Sequence, residues 1–166
     1  MSQFEITDRN TIRLSRDGRE SPDSPEWTRN IDNPYLHGVY APTTIETDTD
    51  ELEIVSGSIP EDLYGAYLRN GPNPVHEPRF NYHPFDGDGM LYAIYFKQGR
   101  ARFCNRWIKT EAYLKEQEAN EAIWPGVMGP FDFSLPGFPI KDTSNTDVMY
   151  FNGHIMSLWY NAGTPY

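Results

Sequence analysis

The hydrophobic positions of this chain fall into short runs that predict β-strands. Residues 51–55 and 64–68 each alternate polar and apolar side chains, which is the pattern of a strand with one buried face. Residues 59–63, between them, contain a proline and two acids and predict a turn. Residues 51–68 are therefore expected to contribute two short strands joined by a turn.

Two hairpins are predicted further along the chain. Residues 90–96 are almost continuously apolar, and Lys97-Gln-Gly-Arg100 turns that run back into a strand over residues 101–108. Residues 145–151 and 154–159 flank Asn152-Gly153, the residue pair that type I′ hairpin turns prefer. The sequence thus predicts antiparallel pairs rather than a parallel sheet.

One short helix and one irregular tract interrupt the strands. Thr110 is a suitable N-cap for a helix over residues 111–122, whose first turn carries an acid. Residues 125–139 contain three glycines, four prolines and three phenylalanines, which exclude a helix or a long strand and predict a loop over one face of the domain. Residues 1–30 are polar and predict a flexible leader, followed by one unit over residues 31–166. The predicted fold class is all-β: a sandwich, barrel or propeller.

Composition narrows the classes of partner. The 166 residues carry a net charge of −10, so there is no basic surface for nucleic acid or for simple adhesion to anionic lipid. No run of apolar residues approaches the length of a membrane span. The single cysteine, Cys104, cannot form an internal disulfide, which fits a reducing compartment. We expect a cytoplasmic location, while membrane docking is left open.

Two turn-rich runs have a more specific amino-acid sequence than the formation of turns alone requires. They are GSIPEDLYGAYLRNGPNP at residues 57–74 and YHPFDGDGML at residues 82–91. Together with residues 33–42, 105–110, 143–146 and 152–159, in the same order, they resemble the amino-terminal signature of the carotenoid cleavage oxygenase family. That family includes carotenoid, apocarotenoid and stilbene cleaving dioxygenases and a retinoid isomerase. The resemblance covers about residues 31–166.

The resemblance implies a seven-bladed β-propeller with loops and helices over one face. Seven blades need on the order of 300 residues, so this chain is expected to form only the first blades and part of the cap, as a truncated amino-terminal portion. The family holds Fe(II) with four histidines and inserts both oxygens of O2 across an electron-rich C=C bond, giving two carbonyl products. The implied partners are O2 and a lipophilic polyene or aromatic alkene.

The histidines here are not expected to hold that iron. The chain has four, but none lies in a ligand motif of the family, and we expect those motifs beyond residue 166. Iron is therefore a cofactor of the complete family member, and neither a metal ligand nor a catalytic residue is assigned in this chain. The four histidines are His37, His76, His83 and His154.

Asp86 and Asp88 begin like a calcium loop, but no further ligand follows at EF-hand spacing. Calcium binding is therefore not expected from these two carboxylates. The alternative is that they belong to a tight turn and bind backbone N–H groups.

Trp107 and Lys141 are the substrate-binding candidates. In the stilbene-cleaving branch a tyrosine and a lysine near these positions grip and deprotonate a phenol, and Trp107 replaces the tyrosine. Core packing is the alternative for Trp107, and a solvated loop charge is the alternative for Lys141. An indole cannot act as a base, which favours a carotenoid or apocarotenoid substrate. A stilbene-cleaving enzyme, or a non-catalytic interaction module, is the alternative function, and the chain alone is expected to be inactive.

Overall fold

Three antiparallel strands form the main sheet in this computed structural model, which describes residues 23–161 and 163–166. Strand β1 covers Gly65–Pro72, β2 covers Gly89–Lys97 and β3 covers Arg100–Trp107, in the spatial order β1-β2-β3. Two further strands, β4 at Asp147–Phe151 and β5 at His154–Leu158, form a separate antiparallel pair. The described fold is thus mostly β and antiparallel, as the hydrophobic pattern predicts.

Both predicted hairpins are confirmed, and both close through two residues with positive φ. Gln98 and Gly99 have φ values of 52° and 72° and join β2 to β3, with Lys97 paired to Arg100. Asn152 and Gly153 have φ values of 47° and 83° and join β4 to β5. Two consecutive left-handed residues are what a type I′ turn requires, and its twist matches that of the flanking strands.

The predicted strand at residues 51–55 is wrong. This segment runs beside β3, but its hydrogen bonds slip by one residue: Thr49 N–H donates to Phe103 O, whereas Leu52 N–H donates to Ala101 O. Three residues on one side therefore span two on the other, which is the geometry of a bulge. Only an isolated bridge between Asp48 and Cys104 has ladder geometry here.

Strand β1 continues four residues beyond the predicted strand at residues 64–68, into the turn-rich run. Asn70 pairs with Leu91 and Gly71 with Met90, so residues 69–72 continue the ladder on β2. Pro72 has no N–H to donate, and the strand ends there. The sequence Asn70-Gly71-Pro72 therefore forms the end of a strand rather than a turn.

Helix α1 is shorter than predicted and covers Glu111–Ala119. Thr110 is its N-cap, as expected, and its side chain accepts a hydrogen bond from Tyr113 N–H at 3.0 Å. The helix ends at Asn120, which has a left-handed backbone with φ 56°. The tract over residues 125–139 contains neither helix nor strand, as predicted.

Part of the predicted flexible leader is ordered. Glu26–Asn30 form a 3-10 turn, and the Trp27 indole donates to Val75 O at 3.1 Å. Residues 1–22 lie outside the described residues, so the prediction for them is untested. Further 3-10 turns cover Pro34–Leu36, Gly38–Tyr40 and Pro84–Asp86.

The core lies between the main sheet, α1 and the segments on either side of the irregular tract. Its most buried apolar members are Leu36, Met90, Ala93, Ala101, Trp124 and Ile140. Asn70 ties the two sheets together, because its amide donates to Ser144 O at 2.7 Å and to Asp147 O at 2.9 Å. Among the described residues, no helix is long and apolar enough to cross a membrane.

Candidate functional site

The turn that precedes β2 is built around Asp86. His83 begins the 3-10 turn Pro84–Asp86, and its ring nitrogen Nδ1 accepts a hydrogen bond from Phe85 N–H. The Asp86 carboxylate accepts from His83 N–H at 2.9 Å and from Val127 N–H at 2.7 Å. Burial raises the pKa of Asp86, although these two hydrogen bonds oppose the rise. The turn thus fixes one end of the irregular tract.

A buried ion cluster lies next to this turn. Lys141 Nζ is 2.5 Å from Asp88 Oδ1 and 2.5 Å from Glu116 Oε2. The side chains of Lys141, Asp88 and Glu116 are only 11%, 3% and 1% exposed. The three residues come from the segment after the tract, the turn before β2 and helix α1. This cluster therefore connects three parts of the chain that are distant in sequence.

The carboxylates of the cluster are themselves held by the backbone. Glu116 Oε1 accepts from Ile123 N–H at 2.8 Å and from Trp124 N–H at 3.2 Å, and Asp88 Oδ2 accepts from Val75 N–H at 3.2 Å. Burial lowers the pKa of Lys141, but the charges of Asp88 and Glu116 and their hydrogen bonds raise it by more, so the net direction is upward. Lys141 is consequently held as an ammonium.

Trp107 ends β3 and faces helix α1. Its ring stacks on Tyr113 with a centroid distance of 5.8 Å and an interplanar angle of 29°. Its backbone N–H donates to Glu46 at 2.8 Å. Tyr113 and Glu116 are three residues apart and share one face of α1. Helix α1 therefore contacts both predicted substrate residues, Trp107 through Tyr113 and Lys141 through Glu116.

The two candidates do not line one cavity among the described residues. Lys141 lines a small chamber of about 30 Å³, together with Asp86, Asp88 and Glu116, and Trp107 is not part of its wall. The interpretation of Lys141 as a solvated loop charge is wrong, because two carboxylates hold it in the interior. Trp107 is half-buried and packs on Tyr113, so packing is part of its role.

Sequence reasoning missed Glu116 and Tyr113. The available signal was the spacing of Ala112, Tyr113 and Glu116, which places a glutamate on the buried face of the helix. A glutamate at such a position needs a cationic or hydrogen-bonding partner. That partner could not be named from the sequence, because Lys141 lies 25 residues further on.

A second, open cavity of about 520 Å³ lies between the end of β1 and the start of β4. Phe85 and Tyr160 line it, with ring centroids 5.3 Å apart, and Arg69 and Asn70 supply polar groups. Its size is within the range that small-molecule sites occupy. Aromatic walls of this kind suit the flat face of a conjugated ligand.

The histidines do not fit an iron site. His37 Nε2 is hydrogen-bonded to Ile31 O, His76 Nε2 to Gln117, and His83 caps the turn before β2. His154 begins β5, where it pairs with Phe151. In residues 23–161 and 163–166, no group of three or more histidine, cysteine or acidic side chains could hold a metal ion. We derive no chemical step through iron from these residues.

Asp86 and Asp88 point to different partners rather than to a shared cation. Asp86 binds two backbone N–H groups, whereas Asp88 binds one N–H and the Lys141 ammonium. An ammonium at 2.5 Å occupies the position that a cation would need. The DGDG run thus serves hydrogen bonds and an ion pair.

Comparison with known proteins identifies the family. The family model described as retinal pigment epithelial membrane protein matches residues 40–166, most of the chain. This chain is a carotenoid cleavage oxygenase family member. The resemblance of its turn-rich motifs to that family is confirmed.

Three relatives show how the family covers this chain. The isoeugenol monooxygenase of Pseudomonas nitroreducens is 34% identical over 82% of the chain and 28% of its own length. The apocarotenoid-15,15'-oxygenase of Synechocystis is 37% identical over 69% of the chain and 25% of its own length. The lignostilbene dioxygenase of Pseudomonas brassicacearum superposes with a TM-score of 0.71 at 26% identity, covering 81% of this chain and 28% of that one.

The carotenoid oxygenase family includes metal-dependent oxygenases. A cobalt-substituted Synechocystis apocarotenoid oxygenase superposes on 75% of this chain and 27% of its own, with a TM-score of 0.63 and 34% identity. The chain spans about a quarter of the length of these relatives. Activity, substrate and cofactor of a complete protein are therefore matters of proposal.

Proposed function

We propose that this chain is the amino-terminal part of an Fe(II)-dependent dioxygenase that cleaves a C=C bond of a carotenoid or apocarotenoid. The products would be two carbonyl compounds, with O2 as the second substrate. Its strands would form the first blades of a seven-bladed propeller, and the iron ligands would come from outside residues 23–166. We further propose a cytoplasmic location, although one relative, in Arabidopsis thaliana, is described as chloroplastic.

The chemistry of the Trp107 and Lys141 side chains supports a polyene substrate over a phenolic one. We propose that both lie on the substrate side of the complete protein. An indole N–H can only donate a hydrogen bond, so Trp107 cannot take a proton from a phenol. Lys141 is bound to two carboxylates at 2.5 Å and cannot take a proton while it is an ammonium. A neutral conjugated chain has no phenol proton to give up, so it needs no proton acceptor at either position, and the apolar face of the indole can pack against it.

Phenolic alkenes are the second candidate substrates. Two of the three relatives described above are an isoeugenol monooxygenase and a lignostilbene dioxygenase, and they cover 82% and 81% of the chain. The wider open cavity, with Phe85 and Tyr160 in its wall, would accept a flat ring as readily as a polyene. The choice between the two classes therefore depends on the groups that would meet a phenol.

The test is product analysis with the protein expressed from its own gene and loaded with Fe(II). An apocarotenal and 4-hydroxystilbene are offered to the wild type, to Trp107→Tyr and to Trp27→Tyr. Trp27 is a matched control, since it is also half-buried but lies in the entry segment and binds Val75 O.

We expect the wild type to cleave the apocarotenal in preference. Trp107→Tyr should change that rate by less than about threefold, and Trp27→Tyr should leave the ratio between the two substrates unchanged. A wild type that prefers 4-hydroxystilbene would show that the substrate class is wrong. Absence of product from both alkenes would instead favour the non-catalytic interaction module.

A further inference from the structure

We propose that Asn152 is a site of spontaneous covalent modification, at which the side-chain amide is lost through a succinimide ring and replaced by aspartate or isoaspartate. The inference goes beyond the proposed function and does not depend on it. Asn152 precedes Gly153 in the turn between β4 and β5. The sequence contains one other Asn-Gly pair, Asn70-Gly71, and the fold holds the two pairs in different ways.

The first step of the argument is the chemistry of an asparagine that precedes a glycine. The backbone nitrogen of Gly153 attacks the side-chain carbonyl carbon of Asn152, and the new C–N bond closes a ring. The bond from that carbon to the amide nitrogen breaks, and the amide leaves as ammonia with the proton that the glycine nitrogen loses. Water then opens the ring at either carbonyl, which gives aspartate or isoaspartate without any oxidant or reductant. Glycine favours the attack, because it has no Cβ beside its nitrogen.

The second step is that the turn leaves both reacting groups accessible. Asn152 and Gly153 are exposed, and an added Cβ on Gly153 would meet no atom within 4 Å. Across residues 23–161 and 163–166, no hydrogen bond holds the side chain of Asn152. The pair also lies at the end of a two-stranded sheet, where local opening costs less than within a larger ladder. The backbone rotation that ring closure requires is therefore only weakly opposed here.

The third step is that the fold protects the other pair. The amide nitrogen of Asn70 donates to Ser144 O at 2.7 Å and to Asp147 O at 2.9 Å. Gly71 is buried and pairs with Met90 in the ladder between β1 and β2. Ring closure at Asn70 would have to break both amide hydrogen bonds and the pairing of Gly71. The same two residue types are therefore fixed in one place and accessible in the other.

The fourth step concerns Gln98-Gly99, which forms the matching turn between β2 and β3. Gln98 has a φ of 52°, close to the 47° of Asn152, and it is also exposed and followed by glycine. Its amide carbon lies one bond further from the backbone, so attack by the glycine nitrogen would have to close a larger and less favoured ring. Gln98 is therefore an internal control for exposure and turn type, and Asn152→Gln transfers that control to the second hairpin.

The two products should affect the hairpin differently. Aspartate followed by glycine also prefers a type I′ turn, so this product keeps the turn and adds a negative charge. Isoaspartate carries the main chain through its side-chain carbon, which lengthens the turn and displaces the pairing of Phe151 with His154. Isoaspartate at residue 152 should therefore loosen the pairing of β4 with β5.

Peptide mass spectrometry after incubation tests the site. The protein expressed from its own gene is incubated at neutral and at alkaline pH in heavy-oxygen water, which labels each side chain that is hydrolysed during the incubation. We expect the folded protein to lose the Asn152 amide at least about tenfold faster than the Asn70 amide, and faster again at alkaline pH, because the attacking nitrogen must lose its proton. In urea the two rates should agree within about threefold, since both asparagines precede glycine. Gln98, and residue 152 in Asn152→Gln, should show no loss over the same period.

Equally slow loss at Asn152 and Asn70 in the folded protein would overturn the inference. A difference of about tenfold that persists in urea would also overturn it, because the fold would then not be the cause. The second readout is hydrogen exchange at Tyr150 and Ile155, which pair across β4 and β5. Aged protein rich in isoaspartate should exchange these amides at least about tenfold faster than fresh protein, whereas Asn152→Asp should stay within about threefold of it. Exchange that isoaspartate leaves unchanged would show that the proposed effect on the hairpin is wrong.

Discussion

Replacing Lys141 by methionine should strongly destabilise the protein. Methionine keeps most of the apolar stem of lysine, so the change removes mainly the charge. Asp88 and Glu116 would then be two like charges, 3% and 1% exposed, without their shared cation. Breaking a buried ion pair by removing one partner costs about 3–5 kcal/mol, because a buried charge loses its compensation. A chain of this size has a total stability of about 5–15 kcal/mol.

The assay is urea unfolding followed by tryptophan fluorescence. Trp124 is a suitable reporter, because its backbone N–H binds Glu116 and its side chain is buried. Lys109→Met is the control, since Lys109 is exposed, and it should change the free energy of unfolding by less than about 0.5 kcal/mol. Adding Glu116→Gln to Lys141→Met should recover part of the loss, because it removes one of the two stranded charges.

The expected coupling distinguishes an ion cluster from a packing effect. If Lys141→Met costs less than about 1 kcal/mol, the desolvated charges are not compensated in the way that the geometry indicates. If the double variant is as unstable as the sum of the two single variants, Lys141 and Glu116 do not act on each other. Either result would refute the reasoning.

Three further outcomes are expected. Gly126→Ala should lower the free energy of unfolding in urea by about 1–3 kcal/mol, because a Cβ at this position would clash with the Asp86 carboxylate. Gly71→Ala is the control and should lower it by less, because the nearest atom to a Cβ there is 3.9 Å away. Equal losses in the two variants would contradict the close contact between residue 126 and Asp86. Folding raises the pKa of Lys141, so the charged amine should stabilise the folded protein fully at pH values below its ordinary pKa of 10.5. This stabilisation should be lost as the pH rises through the higher pKa of the folded state. The difference in unfolding free energy between wild type and Lys141→Met should therefore shrink only in that alkaline range. The 166-residue chain, loaded with Fe(II) without oxygen and then desalted, should retain much less than one iron per chain by mass spectrometry of the metal, and stoichiometric tight iron would contradict this.

The hairpins were predictable because their signals are local. Asn152-Gly153 and Gln98-Gly99 occupy backbone conformations with positive φ, and the flanking apolar runs set the two strands. Thr110 predicted the start of α1 for the same reason, since a cap acts within one turn. The end of the helix was predicted at residue 122, three residues too late, because Asn120 is a weaker stop signal than glycine.

The failures arose where a distant segment decides the local structure. Residues 51–55 have the alternation of a strand, but the bulge against β3 depends on how Asp50 and Glu51 pass Arg102, which the local pattern does not contain. Residues 69–72 have the composition of a turn, but β2 offers them a partner along their whole length. Pairing across the sheet therefore overrode local propensity in both cases.

The same reasoning explains why the DGDG run is more than a loop signal. Its two aspartates lie one residue apart on either side of Gly87 and act on opposite ends of the irregular tract. Asp86 binds Val127 N–H near the beginning of the tract, and Asp88 binds Lys141 just after its end. Two carboxylates separated by a single glycine thus close a long, proline-rich loop at both ends, which limits its conformational freedom far more than its own sequence could. Because Lys141 is one of these two attachment points, any change that breaks its ion pair with Asp88 should also loosen the loop.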